Sequence, residues 1–400
     1  MDAALLIMLR NARGLSVEEL AERVEVHPDT IERWEAGDTK IPYPVNRRRL
    51  AKALGVPLGP LVVAVWGEQQ GLPEAVIQAN RRTLLQAAGL LPATLIAPRL
   101  PAVDFHEQTI GLVTGYATTA PAERLSEARA HLNTLTAALR EPMLSGQRRA
   151  LQVDAAETAC LAAYSARSRG YHGEATAFFL LARSLADESQ VAWIRGCTRA
   201  AYSVLHAPII GDNDPLAALD LLATAAPLVG KTGPNAKWVA ALQAEMSAGL
   251  KRERETRQAI ERAFALPDGD DLEGFFSGRG FLISLASSSE ATVAAWAGRD
   301  LILLECADEG LSHLRQALAA PAVNLVGPAE KYADAALGHT IAAEDPEPAC
   351  AQAHLALDVA KSTGHKVAVT RVLHARNAMP DPWASTSCVQ QFDERLRLAL

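Results

Sequence analysis

The residues of this 400-residue chain best able to do chemistry are its ten histidines, its five cysteines and a run of arginines near the N-terminus. The histidines form no HExxH, the pair on one helical face that zinc catalysis of that type needs. Cys160, Cys197, Cys306, Cys350 and Cys388 are scattered, odd in number and without a CxxC. They read as buried free thiols of a reducing compartment, not as disulfides or zinc ligands. Asp104-Phe105-His106-Glu107 is the densest polar group and reads as a solvent-facing helix cap. The Gly-rich stretch Gly274 to Gly280 follows Asp268-Gly269-Asp270-Asp271 and no strand, so a long loop fits it better than a phosphate cradle. No nucleophile and base stand at a useful spacing, so neither an enzyme activity nor a cofactor or metal is expected. What remains is phosphate chemistry. Lys40 and Arg47-Arg48-Arg49 can neutralise a nucleic-acid backbone.

Composition frames what positions these groups. The chain is 49% hydrophobic, 21% charged and only 5% aromatic. Alanine and leucine dominate and β-branched runs are scarce, which points to helices throughout. Four hundred residues exceed one ordinary core, so two or more units are expected. Net charge is −7, yet residues 1–65 balance nine basic against nine acidic groups. Phosphate binding there must come from local placement. No signal peptide and no membrane-spanning run is read, and a cytoplasmic location is expected.

The N-terminal elements follow from local signals. A first helix spans about Ala3 to Ala12 and stops at Gly14. Ser16, with Glu19 three residues on, forms a capping box for the second. Leu20, Ala21 and Val24 face inward and Val26 packs in the turn. His27-Pro28 opens a third helix, with Ile31 and Trp34 as its buried stripe and Gly37 as its stop. Helices over Pro44 to Leu54 and Leu58 to Trp66 complete the unit. Helix, tight turn and second helix within Gly14 to Pro42 is the sequence form of a helix-turn-helix, whose second helix can enter the major groove.

The segments LRNARGLS, EELAERV, TIERWEAG and LAKALGVP, between Leu9 and Pro57, resemble the Cro/repressor (XRE) helix-turn-helix family. The resemblance implies a five-helix, phage-repressor-like fold and a structural pair between Arg10 and Glu35. It places the base-reading positions at Pro28, Asp29 and Arg33, with His27, Thr30 and Glu32 beside them. Ser16, Lys40, Arg47 and Arg48 complete the expected DNA-facing set. Arg33 can contact guanine O6 and N7, and Asp29 or Glu32 can accept from cytosine N4. Val17, Ala36 and Ile41 depart from the family pattern and remove phosphate contacts, which predicts modest affinity or reliance on a dimer.

Beyond a linker with a connecting helix over Gln78 to Leu91, helical periodicity runs from Asp104 to the end. A small residue, another residue four on and a third three further recur as Ala175-Phe179-Ala182, Ala218-Leu222-Ala225, Gly310-Leu314-Ala317 and Ala349-Ala353-Ala356. Ala259-Ala263-Leu266 is a weaker copy. This resembles the second helix of a tetratricopeptide repeat, with gaps of 43, 41, 51 and 39 residues between copies. The expected architecture is all-α: a helix-turn-helix domain over 1–66, a linker over 67–103, and a tetratricopeptide-like α-solenoid over 104–400.

The whole chain then resembles bacterial regulators that join an XRE domain to a tetratricopeptide-like sensor, including peptide-pheromone receptors. That implies a homodimeric, ligand-responsive transcription regulator with double-stranded DNA as partner and a peptide or small molecule as effector. Candidate groove residues on first helices are Tyr164, Arg167, Trp193, Arg199, Trp238, Gln243, Trp296, Asn324 and Tyr332, with Trp193 and Trp238 read first as core. Peptide-pheromone receptors clamp a peptide backbone with groove Asn residues, and only Asn133, Asn235 and Asn324 lie in expected helices here, which leaves a small molecule as open as a peptide. The competing expectation is a scaffold whose degenerate helix-turn-helix docks a protein partner.

Overall fold

The computed structural model describes residues 3–37, 44–56, 61, 64–65, 105–266, 289–322, 324–342 and 345–400. Lys40, Trp66, the linker with its connecting helix and the Gly274 to Gly280 loop lie outside the described residues. All regular elements among the described residues are helices.

Near the N-terminus lie α1 (Ala3–Ala12), α2 (Val17–Val24), α3 (Pro28–Ala36) and α4 (Pro44–Leu54). Ser16 Oγ accepts from the Glu19 N–H at 3.1 Å, and Glu19 Oε2 accepts from the Ser16 N–H at 2.7 Å, the reciprocal capping box. α2 leaves through Glu25 in the left-handed region, φ 59°, so that the Val26 N–H closes on the Ala21 carbonyl. A non-glycine there costs about 1–2 kcal/mol, and the Glu25 carboxylate also pairs with Arg49 at 2.6 Å. α3 has Pro28 in its first turn and stops at Gly37, φ 84°. Leu5, Leu9, Leu20, Val24, Ile31, Trp34, Leu50 and Leu54 form a core of their own. Leu61, Ala64 and Val65 join it, as the expected fifth helix would require.

The larger array begins with α5 (Phe105–Thr114) and α6 (Pro121–Ala138). Helices then pack in pairs: α7 (Ser145–Ser168) with α8 (His172–Ser189), and α9 (Ala192–Ser203) with α10 (Pro215–Val229). α11 (Pro234–Gly249) packs with α12 (Glu253–Ala265), and α13 (Glu290–Leu303) with α14 (Ala307–Ala319). α15 (Gly327–Ala342) packs with α16 (Pro346–Thr363), and α17 (Lys366–Ala378) and α18 (Ser387–Ala399) end the chain. Each first member touches the next: α7, α9, α11, α13, α15 and α17 form an inner row. The row closes, because α17 also touches α7. The Leu325 N–H also donates to the Ala117 carbonyl at 3.2 Å, joining the approach to α15 to the turn after α5.

The recurrent small residues fall on the second members, and Ala175, Ala218, Ala259 and Ala349 are all at most 1% exposed. Gly310 shows what smallness does there. A Cβ on it would lie 2.7 Å from the Gly298 carbonyl oxygen, and one on Gly298 would lie 2.8 Å from that of Gly310. Neither backbone can yield without parting α13 from α14. Gly310→Ala should therefore cost about 2–3 kcal/mol, read as a lower urea midpoint with helix content retained. An unchanged midpoint would show that the pair slides freely.

Charged groups also enter this core. Glu157 on α7 is 5% exposed, and burial, with the Asp154 charge beside it, pushes its carboxyl well above the ordinary carboxylate range. The folded chain thus holds a proton that the unfolded chain releases. That contribution to stability is full below the ordinary carboxylate range and is lost as pH rises. Glu157→Gln should raise the melting temperature more at pH ~8 than at pH ~5; a pH-independent difference would refute it. His106 is exposed, as expected, but its Nδ1 lies 2.8 Å from Asp154 Oδ1, which ties it to α7. All five cysteines are free, but Cys306 and Cys388 are only half-buried, since both lie at helix starts.

Candidate functional site

α3 presents one exposed face. Asp29, Glu32 and Arg33 are exposed, while Ile31 and Trp34 point into the core. Pro28 and Thr30 are half-buried at the helix start. His27 is the N-cap: its Nδ1 accepts from the Asp29 N–H at 3.4 Å and lies 3.3 Å from the Asp29 carboxylate. The Arg33 side chain makes no hydrogen bond or ion pair with another described residue. Arg48 is exposed on α4 and Arg47 half-buried, whereas Arg49 is engaged by Glu25. Ser16 is exposed, its Oγ already used as an acceptor by the capping box.

Behind this face, Arg10 holds α1 to α3. Its Nε donates to Glu35 Oε1 at 2.6 Å, its Nη2 to Oε2 at 3.1 Å and its Nη1 to the Leu15 carbonyl at 2.8 Å. The paired side chains are 13% and 10% exposed, and the Glu35 hydrogen bond raises the Arg10 pKa. Arg13 does comparable work for α4: its Nε donates to the Leu54 carbonyl at 2.6 Å and its Nη2 to that of Gly55 at 2.9 Å. Sequence reasoning missed this cap, because nothing local links Arg13 to a carbonyl 41 residues away.

The inner row of helices lines a cavity of about 180 Å³. Five of the nine groove candidates line it: Tyr164, Arg167, Trp238, Trp296 and Asn324. Sequence reasoning missed its charged lining, Glu245, Arg299, Glu330, Asp334, His365 and Arg371. Arg299 pairs with Glu245 at 2.8 Å and with Asp300 at 3.3 Å. Arg371 pairs with Asp334 at 2.7 Å and with Glu330 at 3.6 Å, and His365 Nε2 lies 2.9 Å from Glu330. Burial alone would raise the Glu330 pKa, but His365, Arg371 and Arg167 together hold its carboxyl well below the usual range. Tyr164 Oη, His365 Nδ1 and Arg371 Nε are buried with no hydrogen-bond partner among the described residues. Burial pushes the Tyr164 phenol well up, so it stays a donor.

Residues 3–63 match the family model described as "Helix-turn-helix domain". The N-terminal unit is a helix-turn-helix domain. No curated protein and no solved structure matches the chain. A helix-turn-helix domain, with only helices among the described regular elements, points to a DNA-binding regulator of the XRE type. Its second and third helices are α2 and α3, so the exposed face of α3 is the one that such a domain offers to a major groove.

The remaining groove candidates lie away from the cavity. Trp193 packs half-buried against the main core. Arg199 donates to Asp187 at 2.8 Å and to the Arg195 carbonyl. Gln243 accepts from Arg262 at 3.4 Å beside a separate surface depression, and Tyr332 packs on the core of α15 to α18. Asn324 reaches the cavity, but its Oδ1 already accepts from Val326 and Gly327 N–H groups at the start of α15. Among the described residues no three His, Cys, Asp or Glu are placed to share a metal ion, and no helix is long and apolar enough to cross a membrane.

Proposed function

We propose that the protein is a ligand-responsive transcription regulator of the cytoplasm, built as a helix-turn-helix domain over 1–66, a linker over 67–103 and a tetratricopeptide-like solenoid over 104–400. α3 reads the major groove, with Arg33 as the base-reading cation and Arg48, Arg47 and Lys40 on phosphates. The solenoid binds an effector and pairs two copies of the chain. The observation that carries this reading is the helix-turn-helix match on a unit whose Arg33 is exposed and unengaged by described residues. The paired helices, with small residues buried on each second member, support the solenoid. A gel shift on the gene's own upstream DNA tests it. Binding should weaken steeply as salt rises, because each neutralised phosphate releases a counterion. Folded protein that leaves this DNA unshifted at low salt would refute the reading.

One observation favours a second reading. Asp29 and Glu32 flank Arg33 on the exposed face, and carboxylates repel phosphate. A scaffold docking a basic protein surface on α3 would then bind no DNA at any salt.

A further inference from the structure

The cavity inside the inner row has a chemical gradient. On α11, Trp238, Leu242 and Glu245 share one face at helical spacing, running from apolar to charged. On α13, Trp296 and Arg299 repeat the order, with the polar Thr292 one turn before them. The Arg299–Glu245 pair shows that the charged ends of the two helices meet. Val204, Ala207 and Ile210 add apolar wall from the end of α9.

The cations at that end are not all directly paired. Glu245 is taken by Arg299, and Asp334 and Glu330 by Arg371, with His365 also on Glu330. Lys331 is spent on the Ala317 carbonyl at 2.9 Å. Arg167 lines the same cavity, and its side chain makes no hydrogen bond or ion pair with a described residue. Burial is the largest influence on it and acts against its charge. Three further polar atoms here are buried and unpartnered: Tyr164 Oη, Arg371 Nε and His365 Nδ1, the last two on side chains 3% and 1% exposed. Glu330 is the charge opposing Arg167 but makes no ion pair with it and is already held by Arg371 and His365, so the Arg167 fork is left for a bidentate oxyanion, which its geometry fits.

We propose that the cavity binds a small organic carboxylate with a single aromatic ring, its carboxylate held by Arg167 and Tyr164 Oη and its ring set against Trp238 and Trp296. This rests on the cavity being the effector site, and it chooses a small molecule over a peptide. An apolar cavity of about 150 Å³ holds benzene, so 180 Å³ is of the size that admits one substituted ring.

Calorimetry on the full chain tests this with benzoate, phenylacetate and 3-phenylpropionate, their primary amides and inorganic phosphate. At least one acid should bind, its amide should not, and Arg167→Gln should weaken the acid about tenfold or more, with Arg167→Lys restoring part. An unchanged melting temperature for Arg167→Gln separates lost binding from lost fold. Amides that bind as tightly as acids overturn the anion, phosphate that binds as well as the acids overturns the ring, and no binding by any acid overturns the ligand class. The effector reading fails separately: Ala295→Phe, which fills the cavity, would leave the response of DNA binding to cell extract unchanged.

Discussion

Charge reversal at Arg33 should abolish specific DNA binding and leave the fold intact. Arg33 lies on the exposed face of α3 and engages no described residue, so Arg33→Glu removes no contact that holds the domain. Surface substitutions of this kind change stability by about 0.5 kcal/mol or less. The effect on binding is far larger. A bidentate Arg–guanine contact is worth about 1–3 kcal/mol, and the new carboxylate joins Asp29 and Glu32 in repelling the phosphates. The sum is about 100-fold or more in affinity, at about 1.4 kcal/mol per tenfold. Gel shift and thermal melting on the same preparation check it. Arg48→Ala gives the contrast. It should weaken all sequences alike and reduce the salt slope by about 1, because a phosphate contact carries no sequence information. A large melting shift in Arg33→Glu would assign Arg33 to the fold, and retained specificity would remove it from the reading face.

The helix-turn-helix domain was legible because its signals are local. The stop at Gly14, the Ser16–Glu19 box and Pro28 in a first turn each act within four residues, and the bounds of α1 and α4 match those read from sequence. The Arg10–Glu35 pair joins residues 25 apart and came through the family resemblance, not from spacing. The cavity was half legible. Aromatics on first helices led to Tyr164, Trp238 and Trp296, but Glu245, Arg299, Glu330 and Arg371 read as ordinary charged positions of amphipathic helices. One signal was available for them. Arg299-Asp300 interrupts the apolar run from Val293 to Leu304, and a charge pair inside such a run has to be buried with partners. Trp193 and Arg199 satisfied the same first-helix rule yet turn elsewhere. Position along a helix fixes the face only once the pairing of α9 with its neighbours is known.

Removing either partner of the Arg10–Glu35 pair should unlock the domain from within. Glu35→Ala strands a guanidinium that is 13% exposed, and an unpaired charge at that depth costs about 3 kcal/mol. Arg10→Ala also frees the Leu15 carbonyl just before the Ser16 cap, so it should cost at least as much. Hydrogen exchange resolved by peptide is the informative readout, because the loss concentrates in α1, α2 and α3. Their slowest amides should exchange about 100-fold faster, while peptides from α7 to α17 keep their rates. Arg10→Lys should fall between, since an ammonium cannot hold both Glu35 oxygens and the Leu15 carbonyl in one plane. Arg10→Met with Glu35→Leu should recover most of the protection, because well-packed apolar replacements relieve the desolvation that the pair carries. Recovery in the double variant would identify the pair as a fold lock that contributes little net stability of its own. Loss equal to the sum of the singles would mean that the charges themselves are needed. DNA binding should follow exchange protection in this series, whereas in Arg33→Glu binding is lost with protection intact, and that difference separates the residues that build α3 from the one that reads with it.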